Sequence, residues 1–187
     1  MSKKLSTHFE NNRLSILRTS SALFCKQGVH ATSISDIAKT VKLSKGTVSY
    51  YFPSKDHLIY EVTDFHLSEV TDALFSWVEA VSSDMPLADA LELLFATVFD
   101  TPDKCRLHIC LISDAILGNE VIRKLVADRM AKWRTMAQAG LVKLGCDNPR
   151  SVCDAVFISL DSVILKRALG GMDIREQDIC AHIAQFV

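Results

Sequence analysis

The sequence predicts an all-α protein of about nine helices. Three observations carry that prediction. Glycine (7) and proline (4) together are scarce in 187 residues, about half the usual ~12%, so chain breakers are too few for a turn-rich sandwich or barrel. Aromatic residues make up 7%, too few for the strands of such folds. Between the breakers, apolar residues recur at spacings of three and four, the period of a helix packed on one face.

The elements follow in order. Residues 14–27 place Leu17, Ser20, Leu23, Phe24 and Cys25 near one face, and Gly28 stands where a helix ends. Ser33 and Asp36 are spaced as a cap and its reciprocal partner, both able to reach free N–H groups. The helix they open carries Ile34, Ile37, Ala38 and Val41 as one stripe. A turn through Lys42 and Leu43 leads to Ser44, a second cap, and a short helix to about Tyr50. Pro53 forces Phe52 out of the α region and ends it. Ser54 caps a long helix to about residue 82, with Asp56 in its first turn and Leu58, Val62, Phe65, Leu67, Val70, Leu74, Trp77 and Val81 at helical spacing. Pro86 is placed as the first residue of the next helix. Thr101-Pro102 restarts the chain, and Gly118-Asn119 separates that segment from a mixed-charge helix at about 120–144, closed by Gly145. Asn148-Pro149 opens an apolar helix to Leu169, Gly170-Gly171 ends it, and a final helix covers about 173–187.

The composition, 49% hydrophobic and 23% charged, is that of an ordered globular chain. No uncharged stretch is long enough for a ~20-residue membrane span. The start, MSKKLSTHFENN, lacks the apolar core of a secretory signal. The expected location is therefore the cytoplasm, with Cys25, Cys105, Cys110, Cys146, Cys153 and Cys180 as reduced thiols.

The net charge of −1 conceals an asymmetry. Residues 1–60 carry nine Lys/Arg and three Asp/Glu, a charge of +6; residues 61–187 carry twelve and nineteen, a charge of −7. A basic head on an acidic body points to a polyanionic partner. Two short helices joined by a tight turn within that head fit a helix-turn-helix, and a solvated capped turn fits them too. The second of these helices starts with Ser44, Lys45, Gly46 and Thr47. Small polar residues at a helix start can approach base edges, and the adjoining N–H groups can face phosphate.

The stretches ILRTSSALFCKQG and ATSISDIAKTVKLSKGTVSYYFPSKDHL, within residues 14–62, resemble the DNA-binding domain of the TetR family of bacterial transcriptional repressors. That resemblance implies residues 1–55 as a helix-turn-helix DNA-binding domain and 56–187 as a helical ligand-binding and dimerisation domain. It implies that Thr32 and Ser33 bond phosphate, that Lys45, Gly46 and Thr47 face bases, and that Tyr50, Tyr51 and Lys55 grip the backbone, with Tyr51 also packing on the first helix. Lys3 and Lys4 would add loose phosphate or minor-groove contact, a disordered, inert tail being the favoured reading. The sequence departs from the family pattern at Thr19, Ser20, Val29 and Lys42, where the family commonly has two alanines, an aromatic residue and a glycine. Ser49 stands where a tyrosine is common, so the bases read here would differ.

What the resemblance implies overall is a ligand-responsive homodimeric repressor. It would bind a palindromic double-stranded DNA operator and be released by a small-molecule effector. The segment SLDSVILKRALGG resembles the choline-responsive BetI-type branch, with Ser162 in place of a glycine. The dimer would pair through helix 149–169 and the last helix, with Ile179, Ile183 and Phe186 on one face; an intramolecular core is the other reading. Candidate effector contacts are Phe65, Phe95, Phe99, His108, Asp114, Trp133, Phe157 and Asp161, a buried Asp suiting a cationic or hydroxylated ligand and an Asp paired with an Arg being the alternative. Alternatives for the whole chain are a helical dimeric adaptor and a thiol-based redox sensor. No enzyme motif is present. The C-x2-H-x-C spacing of Cys105, His108 and Cys110 has no second cluster to complete a zinc site, so neither metal nor cofactor is expected, and no membrane partner.

Overall fold

A computed structural model describes the backbone of residues 2–170 and 175–185, and the side chains of 9–170 and 175–185. Phe186, Gly171 and the side chains of Lys3 and Lys4 lie outside the described residues. Among those described, nine helices and no strand are found: α1 (Ser2–Gln27), α2 (Ile34–Thr40), α3 (Lys45–Tyr51), α4 (Lys55–Ala80), α5 (Leu87–Val98), α6 (Pro102–Ile116), α7 (Glu120–Lys143), α8 (Pro149–Leu169) and α9 (Glu176–Ala184).

The termini follow local chemistry. Gly28 takes φ +85°, and its amide closes on the Phe24 carbonyl at 2.9 Å. Ser33 and Asp36 form a reciprocal capping box; the Ser33 hydroxyl and amide together hold the Asp36 carboxyl below its usual range. Ser54, Asn119 and Asn148 cap α4, α7 and α8 through their side chains. Pro86 sits one residue earlier than expected, as the N-cap of α5. The first helix is longer than its apolar pattern suggested, starting at Ser2 rather than near residue 14.

The described residues pack as two compact units, Met1–His66 with Leu107–Lys124, and Leu67–Arg106 with Leu125–Val187. In the first, Ile16, Leu17, Phe24, Ile37, Val48, Phe52, Leu58 and Val62 are buried, so α1, α2, α3 and the start of α4 share one core. The end of α6 joins that unit: Asp114 Oδ1 lies 3.2 Å from His30 Nε2 in the α1–α2 loop. In the second unit Trp77 is buried and donates its indole N–H to the Ala90 carbonyl at 2.7 Å. Arg167 donates to the carbonyl of Phe95 at 2.9 Å and to Glu176 at 3.1 Å. Burial raises the Glu176 carboxyl, but hydrogen bonds and charge from Arg167 and Lys166 outweigh it and hold the group below its usual range. A half-buried guanidinium is tolerable when its donors are met in this way.

Candidate nucleic-acid interface

The interface is built outward from Val48. That residue is fully buried and seats α3 against α2, which turns the opposite side of α3 to solvent. Ser44, Lys45, Gly46 and Tyr50 are exposed there, with Thr47 and Ser49 half-exposed. Ser44 caps α3, its Oγ accepting from the Thr47 amide at 2.9 Å and lying 2.8 Å from the Thr47 hydroxyl. The cap fixes Thr47 and leaves its hydroxyl with spare bonding capacity.

Gly46 is the informative residue of this face. A Cβ built on it would meet only Ser44 Oγ, at 3.7 Å. Nothing inside the protein requires the missing side chain. Glycine in a helix still costs about 1 kcal/mol relative to alanine. The small residue therefore leaves room for something outside the chain.

Tyr50 and Tyr51 differ in role. Tyr50 is 74% exposed. Tyr51 is half-buried; its ring lies 4.6 Å from that of Phe9 and its hydroxyl accepts from Asn12 Nδ2 at 3.3 Å. Phe9 and Asn12 were not singled out in the sequence, although they extend the stripe of Ile16, Ser20 and Phe24 at the same period. Lys55 donates its ammonium to the His30 carbonyl at 2.8 Å, which ties the start of α4 to the α1–α2 loop and leaves two donors for other acceptors.

The remaining expected contacts separate. Ser33 is exposed, its hydroxyl shared with Asp36. Thr32 is a correction: it is 1% exposed and its hydroxyl donates to the Gly28 carbonyl at 2.8 Å. The turn after Gly28 folds its side chain inward, so it does not present a donor to solvent. Lys42 takes φ +58°, a left-handed conformation that suits glycine.

The expected effector contacts divide between the two units. In the first, Phe65 is half-buried, and His108 Nδ1 lies 3.2 Å from His66 Nε2. Burial pushes His108 down to about 4. Asp114 is buried but satisfied, accepting from Asn119 Nδ2 at 2.9 Å besides its contact with His30. In the second, Phe95, Phe99 and Trp133 are core residues, Trp133 donating to Thr71 Oγ1 at 2.8 Å. The Phe157 ring lies under the Arg134 guanidinium at 5.4 Å. Asp161 is exposed on α8, which corrects its reading as a buried carboxylate: the buried positions of this stretch are Val163 and Ile164. The buried Asp114, with two partners, is not an uncompensated charge either. The residues of the C-x2-H-x-C spacing diverge, Cys105 toward the Phe99 carbonyl and Cys110 toward that of Phe24.

Comparison with known proteins agrees with this geometry. Residues 16–62 match the family described as bacterial regulatory proteins, tetR family. An HTH-type transcriptional repressor, KstR2 of Rhodococcus jostii, is 25% identical over 136 residues, 69% of this chain and 65% of that protein. An HTH-type transcriptional regulator of Bacillus subtilis, YuxN, is 39% identical over 51 residues, 27% of this chain and 18% of that protein. The chain thus spans less than two thirds of the length of these relatives, which are regulators rather than enzymes. A Saccharomonospora viridis protein solved in complex with choline shares the fold, with a TM-score of 0.76 at 19% identity over 95% of both chains. A TetR family regulator, PfmR of Thermus thermophilus, has a TM-score of 0.68 at 19% identity, covering 91% of this chain and 95% of that one. A tetR-type domain match over residues 16–62, the helices that carry the exposed α3 face, and an all-helical fold shared along nearly the whole length with solved regulators are what this chain has in common with the tetR family of bacterial regulatory proteins.

Proposed function

We propose that the chain is a ligand-responsive homodimeric transcriptional repressor of the cytoplasm, with residues 1–55 as its DNA-binding segment and 56–187 as its effector-binding and dimerising body. The observation that carries the reading is the exposed α3 face around Gly46, small where no intramolecular contact demands it. Lys45, Gly46 and Thr47 reach base edges in the major groove, Ser49 adjusts which bases are read, and Tyr50, Ser33 and Lys55 bond phosphates. Two copies place their α3 helices about 34 Å apart, one turn of the duplex, so the operator is a palindrome.

The dimer reading is supported by α8. It buries Val152, Val156, Val163 and Ile164 and yet leaves Ile158 and Leu169 71% and 68% exposed. A helix apolar on both sides has a second surface to cover. Between α8 and α9, Val152, Ala155, Ile158, His182 and Ile183 line a groove of about 380 Å³. A second copy packing there forms a four-helix interface.

The effector acts by binding one arrangement of the dimer better than the other, which sets the separation of the two heads. The SLDSVILKRALGG segment makes choline the first compound to titrate. Mapping genome-wide DNA sites with the purified chain tests the whole reading. Enrichment of an inverted repeat, with affinity falling steeply in salt, is the expected result. A dimer with no enriched sequence and no salt dependence overturns it in favour of the adaptor.

A further inference from the structure

Cys25 on α1 and Cys110 on α6 are far apart in sequence, and the fold brings them to one place. Cys110 Sγ donates to the Phe24 carbonyl at 3.7 Å, and Phe24 directly precedes Cys25. Across a trans peptide a carbonyl oxygen and the next Cα are ~2.8 Å apart, so Cys110 Sγ is no more than about 6.5 Å from the Cα of Cys25. Cys110 Sγ is ~2.8 Å from its own Cα, so the two Cα atoms are at most about 9 Å apart; a disulfide needs ~4.4–6.8 Å, so closing it takes at most a small approach of α6 to α1. Both residues are half-buried and none of the six cysteines is in a disulfide, so a small oxidant can reach the pair. Cys105 and Cys153 donate instead to the carbonyls of Phe99 and Arg134, neither of which adjoins another cysteine.

We propose that Cys25 and Cys110 form an oxidisable dithiol whose substrate is hydrogen peroxide, closing to a disulfide that ties α1 to α6. The Cys25 thiolate attacks one peroxide oxygen, the O–O bond breaks, and the departing hydroxide takes a proton to leave as water. Cys25 is then a sulfenic acid. The Cys110 sulfur attacks the Cys25 sulfur, the S–O bond breaks, and hydroxide leaves with the Cys110 proton as a second water. Two thiols are oxidised to one disulfide and one peroxide is reduced to two waters. Burial pushes the Cys110 thiol up, which disfavours it as the thiolate that attacks peroxide in the first step. The bond joins the tetR-type domain to a helix outside the matched residues 16–62. Its formation is independent of whether the head binds DNA.

The test treats the reduced full-length chain with equimolar hydrogen peroxide, alkylates the remaining thiols and analyses the digest by mass spectrometry. The expected result is a Cys25–Cys110 linked peptide as the main product, reversed by dithiothreitol, with a thermal midpoint raised by roughly 5–10 °C. In C110S, Cys25 should instead be trapped by dimedone as the sulfenic acid; in C146S the link should persist. Wild-type protein in which Cys25 accumulates as a dimedone adduct, or in which the links formed are scrambled among other cysteines or between chains, overturns the proposal.

Discussion

The rings of Phe9 and Tyr51 lie 4.6 Å apart, which fastens the early part of α1 to the last residue of α3. Tyr50 stands edge-on to the same Phe9 ring at 6.2 Å. One phenylalanine outside the tetR-type match therefore sets the position of both tyrosines. Phe9→Ala should cost about 1 kcal/mol of stability, since the ring is 38% exposed and such aromatic pairs are worth ~0.5–1.5 kcal/mol beyond burial. Operator affinity should fall several-fold with it. Unchanged affinity by fluorescence anisotropy would show that the tyrosines hold their places without Phe9.

Lys42 occupies a position built for glycine. The Leu43 amide bonds the Ala38 carbonyl at 3.0 Å and the Lys42 amide bonds that of Lys39 at 3.3 Å, the paired closure of a helix end that needs a left-handed residue. At φ +58° a side chain costs ~1–2 kcal/mol, offset in part by the greater freedom of glycine when unfolded. Lys42→Gly should raise the thermal midpoint by ~2–4 °C. A lowered midpoint would contradict the strain.

Gly46→Ala separates folding from binding. The added methyl meets no atom of the protein closer than 3.7 Å, so the variant should be more stable by ~0.5–1 kcal/mol. It should also bind operator at least ~10-fold more weakly, the loss of one good base contact being ~1–3 kcal/mol. Stability gained with affinity intact would mean that DNA does not approach Gly46.

His108 makes the fold acid-sensitive. Its charged form is disfavoured in the folded state down to about pH 4, whereas the unfolded chain protonates near the ordinary ~6.5. The unfolded state thus binds more protons between these values, so stability is complete above pH 6.5 and declines as pH falls toward 4. The loss is at most about 3 kcal/mol. Urea titrations at pH 7 and 4.5 should show it, and His108→Gln should flatten the slope.

Gly140 lies against Trp77 so closely that a Cβ would stand 2.3 Å from the ring. The indole cannot yield, being buried and bonded to the Ala90 carbonyl. Gly140→Ala should cost ~1–3 kcal/mol or more, despite alanine's better helix propensity. A thermal melt showing equal stability would require that α7 move away from α4.

Much of this was written locally in the chain. Apolar spacing and the residues at the breaks placed the helices. Ser33, Ser44, Ser54 and Asn148 were legible as caps because a cap depends on residues three positions away. The tetR-type head was legible for the same reason, its signals lying within one continuous stretch. What tertiary structure alone decided are contacts between residues distant in sequence. Thr32 turned inward and Asp161 outward, because a short polar side chain's direction is set by how its helix or turn is rotated. Phe9 reached Tyr51, Cys110 came to the Phe24 carbonyl, and Asp114 found His30 and Asn119. Such pairings follow from the packing of whole helices, and that packing depends on the summed burial of many side chains rather than on any pattern along the chain.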